Sequence, residues 1–342
     1  AIRKRRENEV LGYTGKPESY YNAIINWVKQ SYDLIVTKEV INFVPGIVPG
    51  IGMAMNCFTQ KGDKVMIQPP VYHPFAWVTT RNERTLVINP LRWENGMYRM
   101  DLDAFREQIK GCKLFILCNP HNPGGVVWTE AELRAIADIC YDEKVLVFSD
   151  EIHADLTLPP HTHRPFATVS EKARMNSVTF MSPSKAFNMP GLSASHALIF
   201  NEDLRKRFRI YMDAGELDMG HVFAFLSVEA AYSHGTEWLD QCLAYIQGNI
   251  DFVDEFLKKH APKIKAIRPE ASYLVWLDCR ELELSQKDLN EFFVDKAHLA
   301  LNDGEMFGKE GIGFMRLNVA SPRCIIEKAM KQLADAYQLY IK

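Results

Sequence analysis

Short apolar runs alternate with helical patterns through the first two-thirds of this chain. Helical spacing predicts helices around Pro74–Arg81, Leu102–Ile109 and Glu130–Glu143, and a capping-box pattern marks the start of the last at Thr129 and Glu132. Near-continuous apolar strands between helices predict an α/β fold of three layers, with a mostly parallel sheet covered on both faces. The runs that predict strands are Lys64–Gln68, Thr85–Asn89, Leu114–Cys118, Val145–Ser149, Ser177–Met181 and Ala194–Phe200.

The pattern changes from about Thr236. An amphipathic stretch at helical spacing runs to Lys259, and two strand candidates follow at Tyr273–Asp278 and Gly313–Val319. A chain of 342 residues favours about two domains. We therefore predict a large domain over residues 12–238 and a smaller α+β domain over 239–342, to which residues 1–11 are added.

Composition and charge narrow the class of protein. Hydrophobic residues make up 47% of the chain and charged residues 24%, and the net charge is −3, which gives no indication of a nucleic-acid or anionic-membrane partner. No apolar run approaches the about 20 residues that span a bilayer. The basic segment Ala1–Arg6 lacks the apolar stretch of a signal peptide, so we interpret it as a solvated helix face.

The seven cysteines are scattered, odd in number and without a C-x-x-C pair. This argues against a disulfide framework and against a structural zinc site, and it fits a reducing cytoplasm. We therefore expect no metal centre, and we expect most of the cysteines to be small buried hydrophobic side chains.

One lysine stands where an apolar residue is usual. Lys185 lies between Ser184 and Ala186, directly after the predicted strand Ser177–Met181. Burying an ammonium group without a partner is costly, but a lysine that forms an imine with pyridoxal phosphate (PLP) needs such a place, and Ser182 and Ser184 could contact the phosphate. Taken alone, the segment favours a surface lysine in a strand-to-helix turn, and the cofactor interpretation depends on the upstream residues.

Two other predicted strands end in polar residues suited to the same cofactor. Asn122 follows Leu114–Cys118, and Asp150 and His153 follow Val145–Ser149. Ligands of open α/β sheets bind beyond the carboxyl ends of the strands. A buried carboxylate at Asp150 would keep a pyridinium nitrogen protonated, while Asn122 and His153 would reach the side of the ring that carries the 3′ oxygen.

Two upstream segments complete the candidate site. Tyr72, in a proline-rich loop, could stack on the cofactor face, although an aromatic residue there is otherwise a packing residue. Pro45–Gly50 leads into a predicted helix, Ile51–Phe58, whose start offers backbone donors for a phosphate. A plain turn before a helix is the alternative interpretation of that segment.

Taken in order, PGIVPGI, PPVYHPF, NPHNPGG, SDEIH, SPSKAFN and FMRLNVASP resemble fold-type I PLP-dependent enzymes, the aspartate aminotransferase superfamily. Within it the chain is similar to the cystathionine β-lyase and cystalysin-type C–S lyases. The features that favour this branch are GYTG near the start, DEIH, and Ser193 where aminotransferases commonly carry an arginine eight residues after the lysine. The resemblance implies the three-layer PLP-dependent transferase fold and PLP as the cofactor.

The resemblance also assigns roles to residues. Lys185 matches the Schiff-base lysine and Asp150 the partner of the pyridinium nitrogen. Asn122 matches the residue that bonds the cofactor's O3′, and His153 takes the place of the usual tyrosine. Arg316 matches the arginine that binds the substrate α-carboxylate, where a guanidinium can form two parallel hydrogen bonds.

Further matches concern the phosphate and the assembly. Tyr13 matches a tyrosine that reaches the phosphate of the neighbouring subunit, which implies a homodimer with shared active sites. Relatives carry a longer segment before GYTG, so we expect an N-terminal part of the family pattern to be missing from this sequence. The residues that match the phosphate region are Gly46, Ile47, Val48, Ser182 and Ser184.

The activity that the resemblance implies is α,β-elimination. A substrate such as cystathionine or cysteine would give pyruvate, ammonia and a thiol, in a cytoplasmic homodimer. An aminotransferase is the alternative, because it shares the same lysine, aspartate and arginine. A non-catalytic regulatory protein on the same fold is a third reading, but no DNA-binding helix-turn-helix or basic face supports it.

Overall fold

Across residues 1–8 and 10–340, which the computed structural model describes, the strands form one seven-stranded, one four-stranded and one two-stranded sheet. Glu9 and residues 341–342, which the predicted domain ranges include, lie outside the described residues. The strands are β1 Ile41–Val44, β2 Lys64–Ile67, β3 Thr85–Ile88, β4 Arg92–Glu94, β5 Met97–Arg99, β6 Cys112–Cys118, β7 Leu146–Asp150, β8 Ser177–Met181, β9 Ser195–Leu198, β10 Lys265–Ile267, β11 Leu274–Asp278, β12 Asn302–Asp303 and β13 Phe314–Asn318.

The large sheet has the order β1-β9-β8-β7-β6-β2-β3. Strands β3, β2, β6, β7 and β8 pair in parallel, and β9 runs antiparallel to both β8 and β1. The prediction of a mostly parallel sheet is therefore confirmed. The six strands predicted for this sheet all form, with ends displaced by at most two residues. The strand β1, whose apolar run is interrupted by Asn42, and the hairpin β4–β5, whose strands have three residues each, were not predicted.

Helices cover both faces of this sheet, as the three-layer prediction requires. Along β6, Leu114 and Ile116 point into a core built with Ile51 of one layer of helices. Phe115 and Leu117 point the opposite way, into a core built with residues of α5 and α6. The helices are α1 Ile2–Arg6, α2 Glu18–Tyr32, α3 Ile47–Phe58, α4 Pro74–Arg81, α5 Leu102–Gln108, α6 Glu130–Asp142, α7 Glu171–Met175, α8 Glu202–Ala214, α9 Val222–His234, α10 Thr236–His260, α11 Gln286–Glu291 and α12 Arg323–Tyr340.

Helix α3 begins earlier than the sequence suggested. It starts at Ile47, so the prediction of a start at Ile51 was wrong by one turn. Proline is tolerated in a first helical turn because the N–H that it lacks has no intrahelical partner there. Pro49 and Gly50 therefore lie inside the helix, and Gly50 lets it approach the sheet, where a Cβ atom would come within 2.9 Å of Val44 Cγ2.

The C-terminal part of the chain builds its own core. The antiparallel sheet β10-β11-β13-β12 packs with α10 and α12 around buried residues such as Val253, Val275 and Met330. Helix α1 exposes most of its side chains, and it lies against α9 rather than against this core. Its contacts therefore do not support adding residues 1–11 to the smaller domain, and the domain boundaries stay a prediction.

The seven-stranded sheet and the four-stranded sheet are connected by side-chain packing and hydrogen bonds. Trp276 of β11 packs in the same core as Phe115 of β6, and its indole Nε1 donates to the Tyr98 hydroxyl at 3.2 Å. The backbone N–H groups of Glu270 and Ala271 both donate to the Gly125 carbonyl. Among the described residues, no helix is both long and apolar enough to cross a membrane.

Candidate active site

The carboxyl ends of β6, β7 and β8 open onto a cavity of about 430 Å³. Residues from the start of α3, from the loop before α4 and from the smaller sheet complete its walls. Two predicted residues do not line it: Ser182 lies behind Ser184, and Tyr13 is exposed and lies elsewhere on its own chain. The predicted residues that do line it are Gly46, Ile47, Val48, Tyr72, Asn122, Asp150, His153, Ser184, Lys185 and Arg316.

Asp150, at the end of β7, and Lys185, in the turn after the neighbouring strand β8, both face the cavity. Asp150 ends β7, is 4% exposed, and accepts a hydrogen bond from the backbone N–H of Ile152 at 3.1 Å. Burial raises the pKa of its carboxyl to about 7, although the positive charge of Lys185 works against this rise. Burial and the charge of Arg316 lower the pKa of Lys185, so its neutral amine is more accessible than that of a surface lysine.

A hydroxyl pair fixes the turn that carries the lysine. The Ser182 hydroxyl lies 2.8 Å from the carbonyl of Ala194 and 2.9 Å from the Ser184 hydroxyl, and it accepts the Ser184 backbone N–H at 3.1 Å. Both serines are buried. The turn after β8 is therefore held from behind by Ser182, while Ser184 presents its side to the cavity.

The start of α3 offers unpaired backbone donors. Its N-cap residue is Gly46, which has no side chain to cap the helix. The first N–H groups of a helix have no intrahelical partner, and the helix dipole favours an anion at this end. Because Gly46, Ile47 and Val48 line the cavity, this helix start is suited to a phosphate group.

Arg316 enters the cavity from β13. Its Nη1 donates to Asn122 Oδ1 and its Nη2 to Asn302 Oδ1, both at 2.8 Å, and its guanidinium lies 4.6 Å from the ring centroid of Phe307. Its buried Nε has no partner, and among the described residues no carboxylate pairs with it. Burial lowers the pKa of Arg316 to about 10, which leaves it charged at neutral pH. The side chain is thus an oriented cation available to a ligand carboxylate.

His153 and two tyrosines complete the polar wall. Burial, with the charges of Lys185 and Arg316, lowers the pKa of His153 to about 3, so the ring is neutral at physiological pH. Its Nδ1 has no hydrogen-bond partner within the part of the chain that the structure describes. Burial raises the pKa of Tyr72, most of whose surface is covered, and that of Tyr273. Both tyrosines are therefore neutral at physiological pH.

Sequence reasoning missed several residues in or beside this cavity. Asn302, which contacts the cavity residue Arg316, belongs to a two-residue strand, which has no periodicity to reveal it. Tyr273 was taken only as the start of a predicted strand, although its place directly before the apolar run of β11 could have marked it. Ser193 was noted only because it stands where an arginine was expected, yet it lines the cavity beside Ser195.

Comparisons with known proteins agree with this geometry. Residues 2–333 match the family model for aminotransferase class I and II. Cystathionine beta-lyase PatB of Bacillus subtilis is 37% identical over 338 residues, which cover 98% of this chain and 87% of that relative.

Solved structures extend the likeness to three dimensions. Cystalysin from Treponema denticola, whose crystal structure contains a pyridoxal 5′-phosphate cofactor, matches with a TM-score of 0.97 and 34% identity, over 100% of this chain and 87% of that one. The PLP-bound C-S lyase from Staphylococcus hominis matches with a TM-score of 0.91 and 33% identity, over 98% and 86% of the two chains.

The residues of the cavity fit PLP. Asp150 offers a buried carboxylate to a pyridinium nitrogen, and the uncapped start of α3 offers donors to a phosphate. Lys185, whose pKa is lowered, offers an amine. The unpartnered Nδ1 of His153 adds a buried polar atom that a ligand could satisfy.

Proposed function

Because this chain belongs to the class I and II aminotransferase family, we propose that it is a PLP-dependent carbon–sulfur lyase, which converts cysteine-type substrates such as cystathionine into pyruvate, ammonia and a thiol. The observation that carries the proposal is one cavity that joins Lys185, the buried Asp150 and Arg316, which has no carboxylate partner among the described residues. Those residues serve elimination and transamination alike. The likeness to C–S lyases over nearly the whole chain favours elimination.

When bound, PLP would supply an electron-accepting ring that stabilises negative charge at the substrate Cα. Asp150 would hold the proton on the ring nitrogen. Lys185 would hold the cofactor and, as a free amine, would take the proton from Cα. The C–S bond at Cβ then breaks with its electron pair on sulfur, and Lys185 can return the proton to that sulfur. Addition of one water completes the conversion to pyruvate and ammonia.

Arg316 orients the substrate. Asn122 and Asn302 hold the guanidinium from two sides, so little side-chain freedom is lost when it binds a carboxylate. A fixed carboxylate restricts where Cα can lie relative to Lys185, and such restriction is a large part of catalysis. The neutral ring of His153 adds no charge that would compete with Arg316 for the carboxylate.

The proposal extends to the assembly. The starting turn of α3, with Gly46, Ile47 and Val48, and the Ser182–Ser184 pair would hold the phosphate, and Tyr13 would reach it from a second copy of the chain. Tyr13 is 98% exposed on its own chain, which leaves its hydroxyl available to a neighbour. The cysteines of the described residues are all free, which fits a homodimer in the reducing cytoplasm.

The test is pyruvate release by the purified protein from L-cystathionine or L-cysteine, with PLP but without any added keto acid. We expect pyruvate from the wild type and none from Lys185→Ala, which should also lose the visible absorption of covalently bound PLP. Lys331→Ala, on the exposed face of α12, is the matched control and should behave as the wild type. Amino transfer that requires a keto acid, with no pyruvate formed, would make the protein an aminotransferase instead.

A further inference from the structure

A second cavity, of about 320 Å³, adjoins the first at the catalytic lysine. Lys185, Ser184 and Pro190 line both cavities, as do Tyr273 and Asn318. A substrate whose Cα lies beside Lys185 therefore has open space on this side as well as on the side of Asp150. We call this second space the side cavity.

One face of α10 forms much of the side cavity. Trp238, Cys242, Tyr245 and Ile246 follow one another at helical spacing, and all four line it. The Trp238 ring stacks on Phe187 with 5.9 Å between the ring centroids. An aromatic and aliphatic wall of this kind is suited to an apolar ligand group.

The side cavity is poor in charge. Among the described residues that line it, Lys185 is the single side chain charged at neutral pH. Cys242 adds no charge because burial raises the pKa of its thiol. The first cavity differs in this respect, since it contains Arg316 and Asp150 as well as Lys185.

We propose that the side cavity receives the sulfur substituent of the substrate and selects neutral, apolar thioethers. This proposal rests on the lyase function proposed above. The α-carboxylate would bind Arg316, which leaves the group on sulfur to occupy the space beside Lys185 and Trp238. A propyl or similar chain would bury apolar surface there, which favours binding in proportion to the area removed from water.

Cystathionine is the disfavoured substrate on this argument. Its distal end carries an ammonium and a carboxylate, and transfer of charged groups from water without ionic partners is unfavourable. The neutral side chains of Asn188, Asn318 and Ser321 at the side cavity can only partly replace the lost hydration. A substrate with the same thioether but no distal charge avoids this cost.

The experiment compares kcat/KM for pyruvate release by the wild-type holoenzyme from S-propyl-L-cysteine, L-cystathionine and L-cysteine. S-propyl-L-cysteine is cystathionine without its distal ammonium and carboxylate, so the leaving thiolates are similar alkyl thiolates. We expect kcat/KM for S-propyl-L-cysteine to exceed that for cystathionine by about tenfold or more. Equal values, or a preference for cystathionine, would overturn the side-cavity proposal while leaving the lyase intact. Pyruvate from none of the three would overturn the proposed function itself.

A substitution in the wall of the side cavity tests whether this cavity causes the preference for S-propyl-L-cysteine. Trp238→Ala should lower kcat/KM for S-propyl-L-cysteine about tenfold and leave that for L-cysteine, which has no sulfur substituent, within about twofold. Tyr141→Ala is the matched control, because Tyr141 is as exposed as Trp238, at 48%, and lies on α6 away from both cavities. An equal loss with both substrates in Trp238→Ala would contradict the proposal. The substrate comparison in the wild type stands even if this variant folds poorly.

Discussion

Arg316 shows how much a binding site depends on residues that orient another side chain. The guanidinium would meet the substrate, but its direction is set by amide oxygens on two different elements, Asn122 after β6 and Asn302 in β12. The arginine and Asn122 could be predicted from their motifs. Asn302 could not, because its importance arises only from the pairing of β12 with β13.

We predict that Asn302→Ala raises KM for an amino-acid substrate about tenfold with a smaller change in kcat. The variant removes one hydrogen bond to a charged group, and such a bond contributes about 1.5–3 kcal/mol. Steady-state kinetics of pyruvate release test this prediction. Arg316→Lys keeps the positive charge but loses the planar guanidinium that can form two parallel hydrogen bonds. It provides the reference, and its kcat/KM should fall more strongly than that of Asn302→Ala. An unchanged KM in Asn302→Ala would show that Asn122 alone suffices to orient Arg316.

Burying the Asp150 carboxylate lowers the stability of the protein without its cofactor. The folded chain raises its pKa to about 7 from the ordinary value of 3.8, so the folded state holds this proton more firmly than the unfolded state does. The free energy of unfolding of the apoprotein therefore falls as pH rises between these two values, and the loss is complete above about pH 7.

We predict that Asp150→Asn stabilises the apoprotein at pH 8 and makes little difference at pH 4. The expected gain at pH 8 is at least about 2 °C in Tm, measured by thermal denaturation across the pH range. Asp335→Asn, an exposed carboxylate on α12, is the control and should show no such pH-dependent gain. A variant that melts below the wild type at pH 8 would contradict the prediction.

At the scale of elements, α3 connects packing to phosphate binding. Ile47 and Val48, at its start, line the cavity, while Gly50, three residues after Ile47, lies against the sheet. The sequence predicted the helix and its role but placed its start too late, because Pro49 and Gly50 are residues typical of loops. Only the close approach of the helix to β1 and β8 explains why a glycine is needed there.

We predict that Gly50→Ala lowers the free energy of unfolding by about 1–3 kcal/mol and weakens PLP binding. The added Cβ would lie 2.9 Å from Val44 Cγ2 and 3.1 Å from Phe180 Cε1, so the helix must shift. Urea denaturation and PLP titration measure the two effects.

Gly248→Ala in α10 is the matched control for this substitution. The nearest atom to its added Cβ is the Arg323 Nη2, at 3.5 Å, so the same change should stabilise the protein by about 0.5–1 kcal/mol through helix propensity alone. Equal effects of the two substitutions would show that the contact of α3 with the sheet does not limit stability.

At the scale of the whole molecule, six of the seven strands of the large sheet followed from the sequence, because buried parallel strands are apolar runs separated by helices, whereas their order in the sheet did not. The contacts between distant parts did not follow from it. Trp276 and Phe314, which appear in strands of the smaller sheet, pack in a core with residues of the large sheet. Neither residue type nor spacing indicated that contact.

We predict that two defective variants restore each other's activity if active sites are shared between subunits. Tyr13→Ala should weaken PLP binding about tenfold, and Lys185→Ala should be inactive. Unfolding and refolding the two together would produce mixed dimers in which one site has both Lys185 and a partner's Tyr13. At limiting PLP, we expect the mixed sample to release pyruvate faster than the sum of the rates of the two variants. Each variant refolded alone provides those separate rates. Simple addition of the two activities would argue against shared sites.

The ties between the two sheets also limit how this chain can be recombined with its relatives. A chimera that joined residues 1–235 to the C-terminal part of another family member would separate Tyr98 from Trp276 and Gly125 from the backbone of Glu270 and Ala271. The incoming part would have to supply an aromatic residue and a chain path of the same shape. A chimera should therefore take the hairpin that carries Tyr98 and the loop around Gly125 from the same parent as the C-terminal part. More than a hundred residues of chain separate these two segments from the C-terminal residues that they contact.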